Sequence, residues 1–287
     1  MACVLLDNVY MPTMAVNNER ELYNVLEYVK ELRAIDFSAY RLNTIRRRIA
    51  LRLLSAGIPD YTSYQQYLKE NPKEMDALID ALTIKVSHFF RTPLIFEALR
   101  SFILPELVDL HKDEGLRIWC AGCARGEEAY SLAILIMEIT DKEAFPPNVL
   151  IVGTDIYRES LEDAKKAVYK TGSLLEVKKG YLDDYFIREK DFYRLKESIK
   201  SMVTFACHDI TSCKPPKEGI FSDYHLILCR NVLIYLEPEL QKRALRCFSD
   251  LLTDNGYLVL GEAETMPLQL MKGFQEIIPR MKIFRKG

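Results

Sequence analysis

No window of this sequence offers the roughly 18 uncharged apolar residues that a helix needs to cross a membrane. The opening stretch MACVLLDNVYMP has neither a basic region nor a long apolar one. Membrane insertion and a secretory leader are both set aside on that reading, and the expected compartment is the cytoplasm. Neither sign of charge is in surplus, since Lys plus Arg number 39 against 41 Asp plus Glu. That balance is too even to make nucleic acid the default partner. The cysteines are few and odd in number, seven in all: Cys3, Cys120, Cys123, Cys207, Cys213, Cys229 and Cys247. Most lie inside apolar runs, as small buried thiols do in a reducing compartment. Cys120 and Cys123 stand at metal-ligand spacing, but no second pair accompanies them, and His88 and His208 are isolated. A zinc centre or a histidine-based triad is therefore not expected. A GxGxxG fingerprint is also missing, so a dinucleotide lacks its usual turn.

What the chain does have is length and apolar content. Its 287 residues are 49% hydrophobic and 28% charged, enough for two globular cores. From Glu19 to about Ala81 the patterning is helical throughout. Asn71-Pro72 reads as a capped helix start with proline at the first position. In a helix expected over 37–56, Leu42, Ile45, Ile49 and Leu53 share one face, and Arg41, Arg48 and Arg52 a neighbouring one. Thr92-Pro93 predicts another capped start. From Leu116 onward, short apolar strands at 116–120, 149–153, 203–206, 225–229 and 257–261 alternate with helical patterns at 127–140, 158–168 and 238–252. That alternation predicts a parallel sheet wrapped by crossover helices, with the ligand beyond the strand carboxyl ends. Residues 275–285 suggest a closing hairpin, and 172–200 an insertion before the third strand. The expected organisation is an all-helical domain over 15–90 followed by a Rossmann-like α/β domain over 91–287.

The first strand runs into Cys-Ala-Gly-Cys-Ala-Arg-Gly, residues 120–126, and then a helix opening Glu127-Glu128. Small residues there let backbone approach a ligand closely. Two acids in the helix's first turn either complement its dipole or disfavour a phosphate, which points to a ligand carrying positive charge. S-adenosylmethionine has an ammonium and a sulfonium and no phosphate. Asp155 ends the second strand, where a carboxylate either accepts from ribose hydroxyls or caps the next helix. Asp209, after the third strand, could meet the adenine edge or simply shape a turn. SHFFR at 87–91 and CRNVLIY at 229–235 interrupt apolar texture with polar groups that packing does not explain.

The segments LTIKVSHFFR, WCAGCARGEEAYS, VGTDI and CRNVLIYL, in that order, resemble the motifs of CheR-type chemotaxis-receptor methyltransferases, and the resemblance spans roughly residues 20–285. It implies a class I methyltransferase sheet, S-adenosyl-L-methionine as cofactor with S-adenosyl-L-homocysteine as product, and glutamate methyl esters on a chemoreceptor's cytoplasmic helical region. It also implies cofactor contacts from Lys85, Ser87, Arg91, Glu128, Asp155, Asp209, Ile210, Arg230 and Asn231. Lys85 stands where asparagine is typical of the family and Ser87 where threonine is. Residues 172–200 would be the counterpart of the family's small three-stranded insertion, which can hold a receptor tail peptide.

Because a glutamate carboxylate is already ionised at pH 7, its reference pKa being about 4.3, esterification needs orientation more than a base. Arg91 and the Tyr235 hydroxyl are the expected catalytic groups. Arg46, Arg47, Arg48 and Arg52 form the expected partner-recognition set, to be weighed against an ordinary solvated face. The chain is expected to act as a monomer, with no metal. A nicotinamide dehydrogenase, a non-catalytic adaptor and a methyltransferase of some non-chemotactic protein are the competing readings.

Overall fold

The computed structural model describes residues 19–33, 35–83, 87–140, 148–216 and 223–287. The chain divides into two compact units, Met1–Ile84 and Lys85–Gly287.

In the first unit the described residues form helices α1 (Glu19–Arg33), α2 (Leu42–Ala56), α3 (Tyr61–Glu70) and α4 (Pro72–Leu82). Each buries one stripe, for example Leu22, Val25, Leu26 and Val29 on α1 and Ile45, Ile49 and Leu53 on α2. The second helix starts at Leu42 and not near Phe37. Asp36 accepts from the Ser38 N–H at 2.9 Å and from its hydroxyl at 2.6 Å, and that local turn competes with helix. Gly57 (φ 70°) ends α2 in the left-handed region, and Asp60 caps α3 through the Ser63 N–H at 2.8 Å. Asn71 does not cap α4 as its sequence context suggests. Its amide donates back to the Tyr67 carbonyl at 3.0 Å and so closes α3. Glu74 ties three helices together, accepting both guanidinium donors of Arg52 at 2.9 and 2.6 Å and the Tyr64 hydroxyl at 2.7 Å. Burial and that carboxylate push the Tyr64 phenol well above its ordinary value.

In the second unit α5 (Pro93–Ala98) passes through a π-helical turn, Leu99–Ile103, into α6 (Leu104–Leu110). Thr92 precedes α5 with φ 64° and no side-chain cap bond, so the expected cap there is not made. The strands are β1 (Leu116–Ala121), β2 (Val149–Asp155), β3 (Val168–Lys170), β4 (Phe186–Glu189), β5 (Phe192–Leu195), β6 (Val203–Cys207), β7 (Tyr224–Cys229), β8 (Leu252–Leu260), β9 (Phe274–Ile278) and β10 (Ile283–Lys286). Between them lie α7 (Glu127–Ile139), α8 (Arg158–Lys166), α9 (Lys179–Tyr185), α10 (Glu197–Lys200), α11 (Pro238–Leu251) and α12 (Leu268–Met271).

Among the described residues seven strands form one sheet in the order β6-β2-β1-β7-β8-β10-β9, with β10 antiparallel to both its neighbours. The first five pair in parallel. This is the Rossmann-like sheet that the alternating texture predicts, and β9 with β10 is the closing hairpin. The order turns at β1, whose chain neighbour β2 lies on one side and β7 on the other, and that is where an open α/β sheet forms its crevice. A second small antiparallel sheet has the order β3-β5-β4. Two of its strands fall inside the insertion expected at 172–200, and the third, β3, precedes it. Among the described residues no helix is long and apolar enough to cross a membrane.

At the opposite end of the sheet from the crevice, His225 at the start of β7 is 1% exposed and stacks on His111 with centroids 3.5 Å apart. Its Nδ1 accepts the Arg117 N–H at 3.1 Å, and the Arg117 guanidinium lies 2.9 Å from Nε2. Burial, His111 and Arg117 push the imidazole down to about 4, against a smaller opposing pull from Asp223. His111 is itself lowered, by burial and Arg117, with Glu114 opposing. The folded state therefore holds His225 neutral while the unfolded chain binds a proton near pH 6.5. Its contribution is intact above pH 6.5 and lost as pH falls toward 4. Urea unfolding followed by the fluorescence of Trp119, the single tryptophan, is expected to show wild type losing on the order of 1–3 kcal/mol more than His225→Asn over that interval. Parallel curves for the two proteins would contradict this assignment.

Candidate active site

The crevice is built from the turn that follows β1. Gly122 (φ 77°) bends the chain back, and its N–H and that of Cys123 donate to the Thr154 carbonyl at 2.7 and 2.8 Å. A methyl group at Gly122 would come within 2.4 Å of Val232 Cγ2, so both the angle and the space require glycine. Asp155 Oδ2 accepts the Ala124 N–H at 2.9 Å, and Oδ1 accepts the Tyr157 N–H at 3.0 Å. The carboxylate thus hangs the glycine turn on the end of β2. It does not cap α8, whose preceding residue is Tyr157. Each carboxylate oxygen has two acceptor directions, so these bonds are compatible with a further hydroxyl donor.

Across the crevice Arg230, just past β7, donates to Glu128 Oε2 at 3.0 Å and to the Arg91 carbonyl at 2.8 Å, while its guanidinium lies over the Phe96 ring at 5.4 Å. The two charged side chains are 2% and 14% exposed. Burial raises the Glu128 carboxyl and the Arg230 charge partly offsets it, with Glu264 pushing further up and Arg91 pulling down. Much of the acidic charge that the sequence offers a cationic ligand is therefore already met by protein. Glu127 points elsewhere. It is 1% exposed, its Oε1 is 3.5 Å from the Ser173 hydroxyl, and burial raises it despite a bond from Ser87.

The SHFFR segment is fixed from behind by Ser131. Its hydroxyl donates to the Glu127 carbonyl at 2.6 Å and accepts the Phe90 N–H at 3.0 Å, which holds Phe90 at φ 54°.

Sequence reasoning missed Glu264. It is 3% exposed, and its Oε1 accepts the N–H groups of Val232 and Leu233, each at 2.8 Å, while Oε2 accepts that of Gly261 at 2.6 Å. The loop after β7 is thereby pinned, with Asn231 at φ 60° and Val232 pressed against Gly122. A methyl at Gly261 would lie 2.8 Å from the Asn231 nitrogen, so this glycine also serves the close approach. The available signal was a glycine at the end of an apolar strand with an acid three residues on.

Ser87, Arg91, Glu128, Asp155, Arg230 and Asn231 thus lie on segments that converge at the ends of β1, β2 and β7. Asp209 and Ile210 sit beyond β6, the neighbour of β2. There Asp209 Oδ1 accepts from the Thr211 N–H at 2.8 Å and hydroxyl at 2.7 Å, so its observed work is to shape the turn. Tyr235 closes a short turn, Leu233–Tyr235, after Asn231. Lys85 lies outside the described residues. The four arginines of the expected recognition set are in the helical unit, and most are engaged there. Arg46 pairs with Glu19 at 2.9 Å, Arg48 donates to the Ala81 carbonyl at 2.6 Å, and Arg52 belongs to the Glu74 cluster. Arg47 is the exposed one. Arg48 and Arg52 are thus bound into the helical packing, while Arg46 makes a part-exposed surface pair and Arg47 faces solvent.

Two family models match the chain. The CheR methyltransferase all-alpha domain covers residues 20–83, and the CheR methyltransferase SAM-binding domain covers 85–282. The chain belongs to the CheR methyltransferase family. Among its relatives is a Pseudomonas putida protein provisionally named methyltransferase Cher3, 32% identical over 94% of this chain and 98% of its own length. A chemotaxis protein methyltransferase of Borreliella burgdorferi is 28% identical over 86% of this chain and 88% of its own. An uncharacterised 104.1 kDa protein of Rhodobacter capsulatus is 31% identical over 92% of this chain, which spans 27% of that longer protein.

The CheR crevice fits S-adenosylmethionine. The turn allows close backbone approach, carboxylates stand at the ends of β2 and the start of α7, and the nearby arginines face acids, Arg230 on Glu128 and Arg125 on Asp163 at 3.5 Å. That donor set suits a ligand without phosphates. No group of three or more His, Cys, Asp or Glu able to hold a metal occurs among the described residues.

Replacing Glu264 by Gln leaves one oxygen for three donors, and is expected to cost on the order of 1–3 kcal/mol of stability and to weaken S-adenosylhomocysteine binding by calorimetry. Wild-type values for both would show that the loop needs no such anchor. Arg52→Glu, which sets like charges against each other, is expected to destabilise the helical unit by about 2–3 kcal/mol, read by circular dichroism melting. An unchanged melt would restore Arg52 to the surface set.

Proposed function

We propose that this CheR-family chain is a protein-glutamate O-methyltransferase acting on the cytoplasmic helical region of a methyl-accepting chemoreceptor. The observation that carries the reading is the convergence of the pinned glycine turn, the Glu128–Arg230 bridge and the loop held by Glu264 at the sheet's turning point. The names of the relatives supply the substrate class. S-adenosylmethionine, when bound, provides a methyl group on a sulfonium, an electrophile ready for in-line displacement.

The chain's own residues have two tasks in this scheme. Ser87, Arg91, Glu128, Asp155, Asp209, Ile210, Arg230 and Asn231 hold the cofactor, Asp155 toward the ribose and the Asp209–Ile210 turn toward the adenine. Arg91 and the Tyr235 hydroxyl orient the incoming carboxylate, which is ionised at neutral pH and needs no general base. Orientation and exclusion of water then account for the rate. Arg91 also serves the Arg230 bridge, but through its backbone carbonyl, so its side chain can be removed without breaking that bond. The methyl-transfer domain, expected over 91–287, would extend back to Lys85 to include Ser87, and the helical domain would face the receptor, where Arg47 is the exposed member of the arginine set. A cytoplasmic monomer is the form proposed.

The test is incubation with methyl-tritiated cofactor and receptor fragments, followed by alkaline treatment. Ester linkages release volatile methanol, and methylated nitrogen does not. Arg91→Ala is expected to lower kcat by about 100-fold or more, as loss of a positioned donor does, with Trp119 fluorescence unchanged. Base-stable label, or wild-type turnover in the variant, would overturn the reading.

A further inference from the structure

Away from the crevice, the turn that carries Asp209 and Ile210 ends against a pair of thiols. Cys213 follows the turn Ile210–Ser212 in the left-handed region, with φ 53°. Its Sγ lies 3.4 Å from the Arg243 carbonyl and 3.2 Å from the same residue's Nε. Arg243 is on α11, and Cys247 stands one turn further along the same face. Burial raises the Cys247 thiol and the neighbouring Cys213 side chain adds to that shift. Both cysteines line a surface groove of about 250 Å³ together with Arg243, Arg246, Asp250 and Leu251. Among the described residues this is the pair of free cysteines that meets at an accessible groove. Cys120, Cys123 and Cys229 are buried at the ends of β1 and β7, and the Cys207 thiol faces the Ile156 carbonyl at 3.6 Å.

We propose that Cys213 and Cys247 are a redox modification site, closing to a disulfide when the protein meets a hydroperoxide and so clamping the turn at 210–213 onto α11. Cys213 is the half-exposed partner and reacts first. Its sulfur attacks the peroxide, the O–O bond breaks, and Cys213 sulfenic acid and water are formed. Arg243 places a cationic N–H where charge develops on that sulfur as its proton leaves. Burial pushes the Cys247 thiol up to about 12, so it remains S–H until the sulfenic acid forms beside it. It then displaces the hydroxyl, which departs with the Cys247 proton as a second water. Two thiols and one hydroperoxide thus give one disulfide and two waters when the oxidant is hydrogen peroxide. A thiol reductant reverses the reaction by exchange. The site stands whether or not Asp209 and Ile210 hold the adenine.

The test treats the full chain, natively folded, with hydrogen peroxide, blocks remaining thiols and maps the peptides. A Cys213–Cys247 linked peptide is expected, two hydrogens lighter than its parts and lost on adding dithiothreitol. Cys247→Ser should instead leave Cys213 as a sulfenic acid that dimedone traps, with Trp119 fluorescence confirming the fold. Amide exchange at Thr211 and Ser212 should slow by about fivefold or more in the oxidised wild type, since a clamped turn opens less often. Sulfinic acid at Cys213 without a link, a link to a different cysteine, or exchange unaltered by oxidation would each overturn the proposal.

Discussion

The Glu128–Arg230 bridge is the interaction on which the site's geometry depends. It joins the first turn of α7 to the loop after β7, and through the Arg91 carbonyl it includes the segment before α5. An ion pair so nearly buried gives up most of its hydration, and an apolar substitute of equal volume is often as stable. Its role is therefore better understood as registration. Three segments far apart in sequence are held at one distance from one another because separating them would strand a charge.

Around this bridge the same device recurs with backbone partners. Asp155 satisfies N–H groups of the glycine turn and of its own strand exit, Glu264 those of the loop after β7, and Asp209 that of the turn after β6. Loops that leave the carboxyl ends of parallel strands carry donors that no ladder uses, and buried donors must be met. Acidic side chains meet them here, and the base of the crevice is fixed by these bonds. Such preorganisation is what an in-line transfer requires, because the reacting atoms must be aligned before they react.

The sheet was legible because each central strand is an apolar run and each crossover helix carries a helical period, so β1, β2, β6 and β7 fall within two residues of their expected limits. The three-stranded sheet was harder, since strands of three or four residues such as Val168–Lys170 are too short to show alternation. Local side-chain bonds shifted two expectations: Asn71, expected to cap α4, closes the helix behind it, and Asp36 holds a turn that delays the helix expected from residue 37. The internal partners of two arginines in the expected recognition set were hidden for a related reason. Helical spacing places Arg48 and Arg52 on a shared face, but it says nothing of the α4 carbonyls and the Glu74 carboxylate that occupy them. Glu264 was overlooked because, beyond the nearby Gly261, its value lies in N–H groups brought to it by the fold from more than thirty residues away in sequence.

The measurement that bears most directly on this account is a double-mutant cycle on S-adenosylhomocysteine binding, by calorimetry, with Glu128→Gln, Arg230→Met and both together. If the bridge sets the site, each single variant weakens binding by about tenfold or more, and the pair loses little beyond either alone, a coupling of at least about 1 kcal/mol. Losses that simply add, or wild-type affinity in either single variant, would contradict it.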